Sequence, residues 1–345
     1  MIRFPQQSKA ALKLPIVATN LLLWTALAGA QDDSALDVGW LLFGDAYHVS
    51  NHHLPEGDGA TGIVVRRGYL TLDYDFGDTW EGRLRFELNQ SGEFETYDYE
   101  VEVKDLYMAR SFGEHDLHIG LSPTITFDLI ESVWDARYLA RTPMDMQGNA
   151  SRDSGIALRG PINDAGTLRY RVMAGAGINF GAESGDGRKW MAALTWLPQD
   201  NLFVDFYVDH ERLPGPTDRT TAQVFFGYES EKNRWGLQYA YQDREEDPVL
   251  ELASGFLTHA LRPDLSLIGR VDRIIEPSPS GNNISYIPFD PTAPATMLIG
   301  GLEWQPNRHV TLTPNVLTVS YDTNSDGVRP SSDIQYRLTL FLNYE

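Results

Sequence analysis

Eleven residues near the end of the sequence, 334–344, alternate between apolar and mainly polar side chains. The odd-numbered positions from Gln335 to Asn343 are mainly polar and form the polar parity of the strand. The even-numbered positions form its apolar parity and are Ile334, Tyr336, Leu338, Leu340, Leu342 and Tyr344. A period of two is the signature of a β-strand with two different surroundings. Eleven residues is also about the length with which a tilted strand crosses a bilayer. The pattern therefore favours membrane-spanning strands.

The same alternation recurs along the chain and predicts sixteen strands. The clearest hairpin joins the runs 70–76 and 80–88 through Gly77 and Asp78, a turn typical of paired antiparallel strands. The predicted strands lie at residues 36–49, 63–76, 79–90, 100–112, 117–122, 154–160, 167–177, 189–197, 202–210, 220–229, 234–242, 250–260, 265–275, 295–304, 309–320 and 333–344.

The connections between these strands alternate in length. Long segments are predicted at residues 50–62, 91–99, 123–153, 178–188, 211–219, 243–249, 276–294 and 321–332, with short turns between them. Outer-membrane barrels have an even strand number, short periplasmic turns and long outer loops. The sequence therefore predicts an all-β fold, a transmembrane antiparallel β-barrel of about sixteen strands.

Aromatic residues gather beside the short turns, on the apolar parity of their strands. They are Phe76, Trp80, Phe112, Trp196, Tyr228, Trp235 and Trp304. Rings at one rim are typical of an interfacial girdle at the lipid headgroups. A soluble β-sandwich would explain the alternation, but neither the girdle nor the unequal connections.

The first thirty residues have the features of a secretory signal peptide. Arg3, Lys9 and Lys13 precede the apolar run 16–27, which ends in small residues at 28–30. A membrane-anchor helix is the alternative, but the run is short for one. We therefore expect residues 1–30 to be a signal peptide and residues 31–345 to form the barrel.

Composition excludes several classes of protein. The chain has 28 Lys and Arg against 48 Asp and Glu, a net charge of −20, and it has no cysteine. Such a charge repels phosphate backbones, so we expect no nucleic-acid partner. The absence of cysteine excludes disulfides and thiolate metal sites.

A sheet in hydrocarbon must close on itself, and closure with sixteen strands leaves a lumen wide enough for water. The polar parity should then line a pore. The predicted pore-lining residues are Arg83, Arg85, Arg169, Arg171, Arg270 and Arg337. Charged side chains on the other face would be costly at the middle of the bilayer.

The segment 123–153 is too long for an ordinary loop, and its spacing suits a helix. At 100° per residue, three acids fall on one face and two arginines nearly opposite. These residues are Asp128, Glu131, Asp135, Arg137 and Arg141. Folded into the lumen, the segment would be a constriction loop with a charge field across it. A solvated helix outside the barrel is the alternative.

The fourth strand departs from simple alternation. Lys104 and Arg110 share a parity with Leu106 and Met108. A β-bulge or burial at a subunit contact would account for this.

Two sets of residues could bind metal in the outer loops. The residues Asp322, Asn324, Asp326 and Asp333 follow the spacing of a calcium loop, although these residue types are also ordinary turn formers. His48, His52 and His53 could gather a divalent ion, or they could simply be solvated. Acidic outer loops could also bridge to lipopolysaccharide through divalent ions. Apart from calcium, we expect no cofactor.

An outer-membrane hydrolase is an alternative function. It would need a nucleophile or activated water with a histidine and an acid. Only His118 and His259 lie well inside predicted strands, and no G-x-S-x-G motif is present. We therefore expect no enzymatic activity. A substrate-specific channel and an adhesive surface barrel stay open.

Four stretches in the first half resemble the phosphate-selective porin O and P-like family of outer-membrane porins. They are residues 66–70 (RRGYL), 103–107 (VKDLY), 118–123 (HIGLSP) and 153–160 (DSGIALRG). The second half is similar only in its barrel pattern. The resemblance implies a sixteen-stranded, usually trimeric channel in the outer membrane of a Gram-negative bacterium. It also implies passage of small hydrophilic solutes or ions, with arginines and lysines along an anion path in phosphate-selective members. The expected partners are membrane lipid, lipopolysaccharide and two further copies of the chain.

Overall fold

The computed structural model describes residues 36–77, 79–90, 99–177, 188–213, 215–278 and 280–345. The predicted signal peptide, residues 1–30, lies outside the described residues, as do most of the predicted loops 91–99 and 178–188.

Sixteen antiparallel strands form one closed barrel, as predicted. They are β1 (Leu36–Asn51), β2 (Thr61–Asp75), β3 (Trp80–Gln90), β4 (Tyr99–Phe112), β5 (His115–Pro123), β6 (Arg152–Pro161), β7 (Leu168–Gly175), β8 (Arg188–Gln199), β9 (Leu202–Arg212), β10 (Arg219–Glu229), β11 (Asn233–Asp243), β12 (Leu250–Arg262), β13 (Leu265–Ile274), β14 (Ala295–Asn307), β15 (Val310–Tyr321) and β16 (Asp333–Asn343).

Helical structure is confined to the connections. Two short α-helices, α1 (Asp128–Trp134) and α2 (Pro143–Met146), lie between β5 and β6. Single 3-10 turns span Pro55–Gly57 and Gly281–Asn283. Within the described residues, none of the helices has the length and apolarity needed to span a bilayer.

Each strand pairs with its neighbours in sequence, and β1 pairs with β16 to close the barrel. This seam runs from Leu41 opposite Asn343 to Asn51 opposite Ile334, with a β-bulge between Val49 and Asn51. The two-residue turn between β4 and β5 contains Gly113, whose φ of 63° suits glycine. Short turns and long connections alternate between the two ends of the barrel, as the sequence predicts.

The outer face of the barrel is apolar and exposed. Trp190, Phe206 and Leu237 leave 60%, 52% and 56% of their surface uncovered. At the short-turn rim, Phe76 and Trp196 are likewise more than half exposed. A soluble sandwich would bury such side chains between its sheets, whereas a membrane barrel presents them to lipid. The structure therefore excludes the sandwich.

A β-bulge explains the irregular parity of β4. Asp105 lies opposite Arg85 and Val103 lies opposite Phe86, so Lys104 has no partner in the ladder. The bulge lets Lys104 reach the buried carboxylate of Glu87, with its Nζ 2.7 Å from Oε2. Beyond the bulge, Leu106 faces outward again. Arg110 stays on the outer face near the rim, over the ring of Trp80.

The interior is not polar throughout, which corrects the sequence-based assignment of one polar inner face. Strands β12 to β15 bury apolar side chains on the inside. They include Leu250, Leu252, Phe256, Ile268, Met297, Ile299, Leu317 and Val319. These residues pack against protein, because the connection containing α1 occupies the lumen. The ring of Trp134 in α1, for example, lies 5.2 Å from that of Phe256.

This packing predicts unequal effects of two neighbouring substitutions in β12. Phe256→Ala removes a buried ring that faces the lumen, so the free energy of unfolding should fall by about 3–5 kcal/mol. Leu257→Ala, on the lipid-facing side, should cost clearly less because it opens no internal cavity. Urea unfolding in detergent micelles, followed by tryptophan fluorescence, measures both. Equal losses would contradict the inward packing of Phe256.

Candidate pore constriction

The connection between β5 and β6, residues 124–151, folds into the barrel. Its buried apolar side chains include Phe127, Ile130, Val133, Trp134, Leu139 and Met144. The wall holds its backbone from several sides. Gln223 Nε2 donates to Thr126 O at 2.9 Å, Arg270 Nη1 donates to Arg141 O at 2.6 Å, and Arg66 donates to Tyr138 O. The predicted constriction loop is therefore inside the lumen, and the alternative of an external helix is wrong.

The helix in this loop is shorter than expected. It ends at Trp134, because Asp135 adopts a left-handed backbone with φ of 49° and donates its N–H to Glu131 O. Arg137 and Arg141 therefore lie beyond the helix and not on its opposite face, which corrects the prediction. Arg137 Nη1 instead lies 2.9 Å from Glu131 Oε1.

The acids of the loop are paired with arginines rather than separated from them. Asp128 pairs with Arg171 of β7, whose Nη2 also lies 2.8 Å from Asp205 Oδ1. Asp135 pairs with Arg234 of β11. These contacts tie the loop to the wall and reduce the transverse field expected from the sequence.

The connection between β13 and β14, described at residues 275–278 and 280–294, also enters the lumen, which is not among the predictions from the sequence. Ile284, Ile287 and Phe289 are buried in the same apolar cluster as the first loop. Tyr286 Oη donates to Gln90 O at 3.1 Å, and Gln335 Nε2 donates to Tyr286 O at 3.0 Å. The presence of these three large apolar residues in a long connection is the feature of the sequence that could have predicted its burial.

Arginines surround a small cavity between the two inserted segments and the wall. The volume is about 30 Å³, roughly enough for one water molecule. Its lining includes Phe43, Arg66, Arg67, Arg137, Arg141, Met146 and Tyr286. None of the residues that line it is acidic.

A β-bulge turns two consecutive arginines toward this cavity. Phe43 lies opposite Arg67 and Gly44 opposite Val65, so Arg66 has no partner on β1. An extra residue in one strand lets adjacent side chains share a face. Arg66 Nε lies 2.7 Å from Asp45 Oδ2, and Arg67 Nη1 lies 2.6 Å from Glu87 Oε1.

Asp145 of α2 neutralises the two loop arginines from behind the cavity. Its Oδ2 lies 2.5 Å from Arg137 Nη1, and its Oδ1 lies 3.5 Å from Arg141 Nη1. Burial alone would raise the pKa of Asp145, but the two guanidinium groups outweigh burial and hold this pKa at about 2. Asp145 is therefore ionised at neutral pH.

Other predicted lining residues lie at the short-turn side of the lumen, where water reaches them. Arg83 Nε lies 2.7 Å from Asp73 Oδ1, and these side chains are 32% and 38% exposed. Arg85 Nη2 lies 2.8 Å from Glu345 Oε1. Because Arg83 and Asp73 lie on the inner face yet remain partly exposed, this side forms an aqueous vestibule.

The remaining arginines of the predicted lining differ in exposure. Arg270 is almost fully buried between Asp272 and the ring of Trp134, so it supports the loop. Arg337 is buried and donates from Nε to Asn315 Oδ1 at 2.9 Å. Arg169 is half-buried on β7, and Thr195 lies opposite it.

The four residues of the predicted calcium loop contact different partners in the structure. Asp322 pairs with Arg273, and Asp326 donates its N–H to Asn324 Oδ1 at 3.1 Å. Asp333 instead contacts His53, with its Oδ1 2.9 Å from Nδ1. Only the Asp326–Asn324 hydrogen bond lies within the turn itself, and calcium binding stays a prediction.

The predicted histidine set is also rearranged. In the described part of the chain, the one group of three or more His, Asp or Glu residues close enough to hold an ion is His52, His53 and Asp333. His48 is exposed and does not belong to it.

The two strand histidines make structural contacts. His118 stacks on Tyr107, with ring centres 5.0 Å apart. His259 Nδ1 lies 2.7 Å from Asn233 Oδ1.

The chain is similar in structure to several solved proteins, among them a porin and an outer-membrane protein. An anion-selective porin from Comamonas acidovorans matches with a TM-score of 0.64 and 11% identity over 90% of this chain and 99% of that one. OmpF of Salmonella typhi, in complex with daunomycin, matches with a TM-score of 0.64 and 13% identity over 90% of this chain and 97% of that one. The trimer form of OmpT from Vibrio cholerae matches with a TM-score of 0.60 and 12% identity over 90% of this chain and 99% of that one.

The fold is that of an outer-membrane porin. At these identities the likeness concerns the fold. No protein-family model and no curated protein matches the chain. The closed barrel and its apolar outer face are the means by which porins span the outer membrane of Gram-negative bacteria, and they place this chain there.

The buried cluster at α2 predicts a pH-dependent effect. Asp145→Asn leaves Arg137 and Arg141 without their shared counter-charge, so stability at pH 7 should fall by about 3–5 kcal/mol. The folded pKa of Asp145 is depressed to about 2, so its contribution is complete above pH 4 and is lost as the pH falls through 2.

The difference in stability between the native protein and Asp145→Asn should therefore be largest at pH 7 and should shrink toward pH 2. The midpoints of urea unfolding at each pH measure this difference. Asp135→Asn is the control, because that side chain is 64% exposed and pairs elsewhere. A difference that stays constant down to pH 2 would contradict the ion pairing.

Proposed function

We propose that the chain is an outer-membrane channel for passive diffusion of small hydrophilic solutes. The observation that carries this proposal is the sequence of environments along the lumen. A partly exposed, charged vestibule at Arg83 and Asp73 leads to a constriction formed by the loop 124–151. Such a path admits hydrated solutes and selects them by size at one narrow level.

We further propose that the constriction prefers anions. Arg66, Arg67, Arg137 and Arg141 line the cavity, whereas their acidic partners lie outside its lining. A permeating ion there meets guanidinium groups first. Arginine also suits planar or tetrahedral anions such as carboxylate and phosphate, because its donors form a fixed fork.

Membership of the phosphate-selective O and P-like family is part of this proposal. Arg66 and Arg67 belong to one of the motifs that resemble that family, and they line the constriction. The lining of the cavity contains four arginines and no lysine. Lys104 instead contacts Glu87, which is also the partner of Arg67. Selectivity here would therefore depend on arginine.

A homotrimer in contact with lipid and lipopolysaccharide is the proposed assembly. The trimer form of a protein with the same fold and the family resemblance support it. The exposed apolar outer face would supply both the contacts between copies and the contacts with lipid.

Planar-bilayer recording of the purified protein tests the channel function. We expect discrete conductance steps in potassium chloride. Esterase and peptidase assays on the same preparation should show no turnover. Hydrolysis without conductance would instead support the hydrolase alternative.

Substitution of the constriction arginines tests the anion preference. Removing one charge about 5 Å from the ion path changes the energy of an ion by about 0.8 kcal/mol in watery surroundings, or roughly fourfold in permeability. Arg67→Gln and Arg141→Gln should each lower the chloride-to-potassium permeability ratio by roughly fourfold or more.

The reversal potential in a potassium chloride gradient measures this ratio. Arg262→Gln is the matched control, since Arg262 is exposed beside a short turn and pairs with Asp264. An unchanged reversal potential in both constriction variants would remove these arginines from the ion path.

A further inference from the structure

Two histidines and one aspartate meet at the long-loop end of the barrel seam. His52 and His53 directly follow β1, and Asp333 begins β16. His53 Nδ1 lies 2.9 Å from Asp333 Oδ1, and His53 N donates to the same oxygen at 2.6 Å. One nitrogen from each ring and one carboxylate oxygen all lie within 4.8 Å of one another.

The three side chains are buried and held in place by their neighbours. The imidazole of His53 and the carboxylate of Asp333 are each only 2% exposed. The rings of His52 and His53 stack with centres 4.6 Å apart. Tyr321 Oη donates to Asp333 Oδ2, which fixes the orientation of the carboxylate.

One ring nitrogen of the cluster is available to a ligand. His53 Nε2 is buried, and it has no hydrogen-bond partner among the described residues. An imidazole nitrogen of this kind is a common metal ligand in proteins.

We propose that His52, His53 and Asp333 form a binding site for a divalent transition-metal ion, with Zn²⁺ as the best match. Tetrahedral zinc with bonds of 2.0–2.1 Å places its ligands about 3.3 Å apart, so the ligand atoms, which lie within 4.8 Å of one another, would move closer together on binding. Two imidazoles and one carboxylate suit zinc better than calcium, which prefers oxygen ligands. The site therefore differs from the calcium loop predicted at residues 322–333, although it shares Asp333.

A bound ion would join the end of β1 to the start of β16. These two strands close the barrel, so the ion would add a cross-link at the seam, between segments about 280 positions apart in sequence. We expect it to stabilise the outer end of the seam. The inference does not depend on which solute the channel carries.

Equilibrium dialysis of the untagged, EDTA-treated protein against Zn²⁺ tests the proposal, with metal content measured by mass spectrometry. We expect one Zn²⁺ per chain in the native protein. Asp333→Asn and His53→Ala should each weaken binding by at least about tenfold. His48→Ala is the matched control and should bind like the native protein, because that histidine is exposed outside the cluster.

A second measurement separates binding at this site from adsorption to acidic loops. Zn²⁺ should raise the temperature at which the folded band disappears on gels for the native protein and for His48→Ala, but not for Asp333→Asn. Circular dichroism confirms that each variant is folded. The proposal would be overturned by no Zn²⁺ uptake at micromolar concentration, or by equal uptake and equal thermal shifts in all four proteins.

Discussion

The requirement that every backbone group in hydrocarbon has a hydrogen-bond partner governs this structure. An open sheet would leave the outer edges of β1 and β16 unpaired, and lipid offers no substitute for water. Pairing of Leu41 with Asn343 and of His48 with Tyr336 removes both edges. Once the sheet is closed, each strand has one face toward lipid and one toward an enclosed space, and the remaining features follow from how that space is filled.

The lumen is filled unevenly. On the side of β2 and β3, inward residues such as Arg83 and Asp73 remain partly exposed to water. On the side of β12 to β15, residues such as Leu252 and Phe256 pack against the inserted loop. The barrel thus combines a partly water-exposed inner side with an internal apolar core. Asp145 pairs with Arg137 and Arg141 inside the inserted loop.

The sequence predicts the barrel well because each strand separates two different environments. Period-two alternation reports that difference directly, and the bulge at Lys104 was visible as a break in it. Alternation does not report what fills the inside. The apolar inner residues of β12, such as Leu250 and Leu252, therefore could not be interpreted before the loop was placed. The insertion of Tyr286 depends on partners such as Gln90 and Gln335, which no local pattern identifies.

The candidate sites show the same limit. Asp128, Glu131 and Asp135 lie in one loop, but the left-handed backbone at Asp135 ends the helix that was expected to continue to Arg141. His53 and Asp333 are 280 positions apart and meet only because β1 and β16 are neighbours. Spacing along the chain can suggest a site within one segment, but not a site made by barrel closure.

The attachment points of the inserted loop bear on the order of folding. Arg66 lies on β2 and Arg270 on β13, yet both donate to the short stretch 138–141. The loop can complete its packing only after strands from opposite ends of the chain have come together. Contacts of such large sequence separation form slowly, since much chain entropy is lost before they are made. We therefore expect the loop to dock late in maturation, so that the lumen of the newly closed barrel is wider than that of the finished protein.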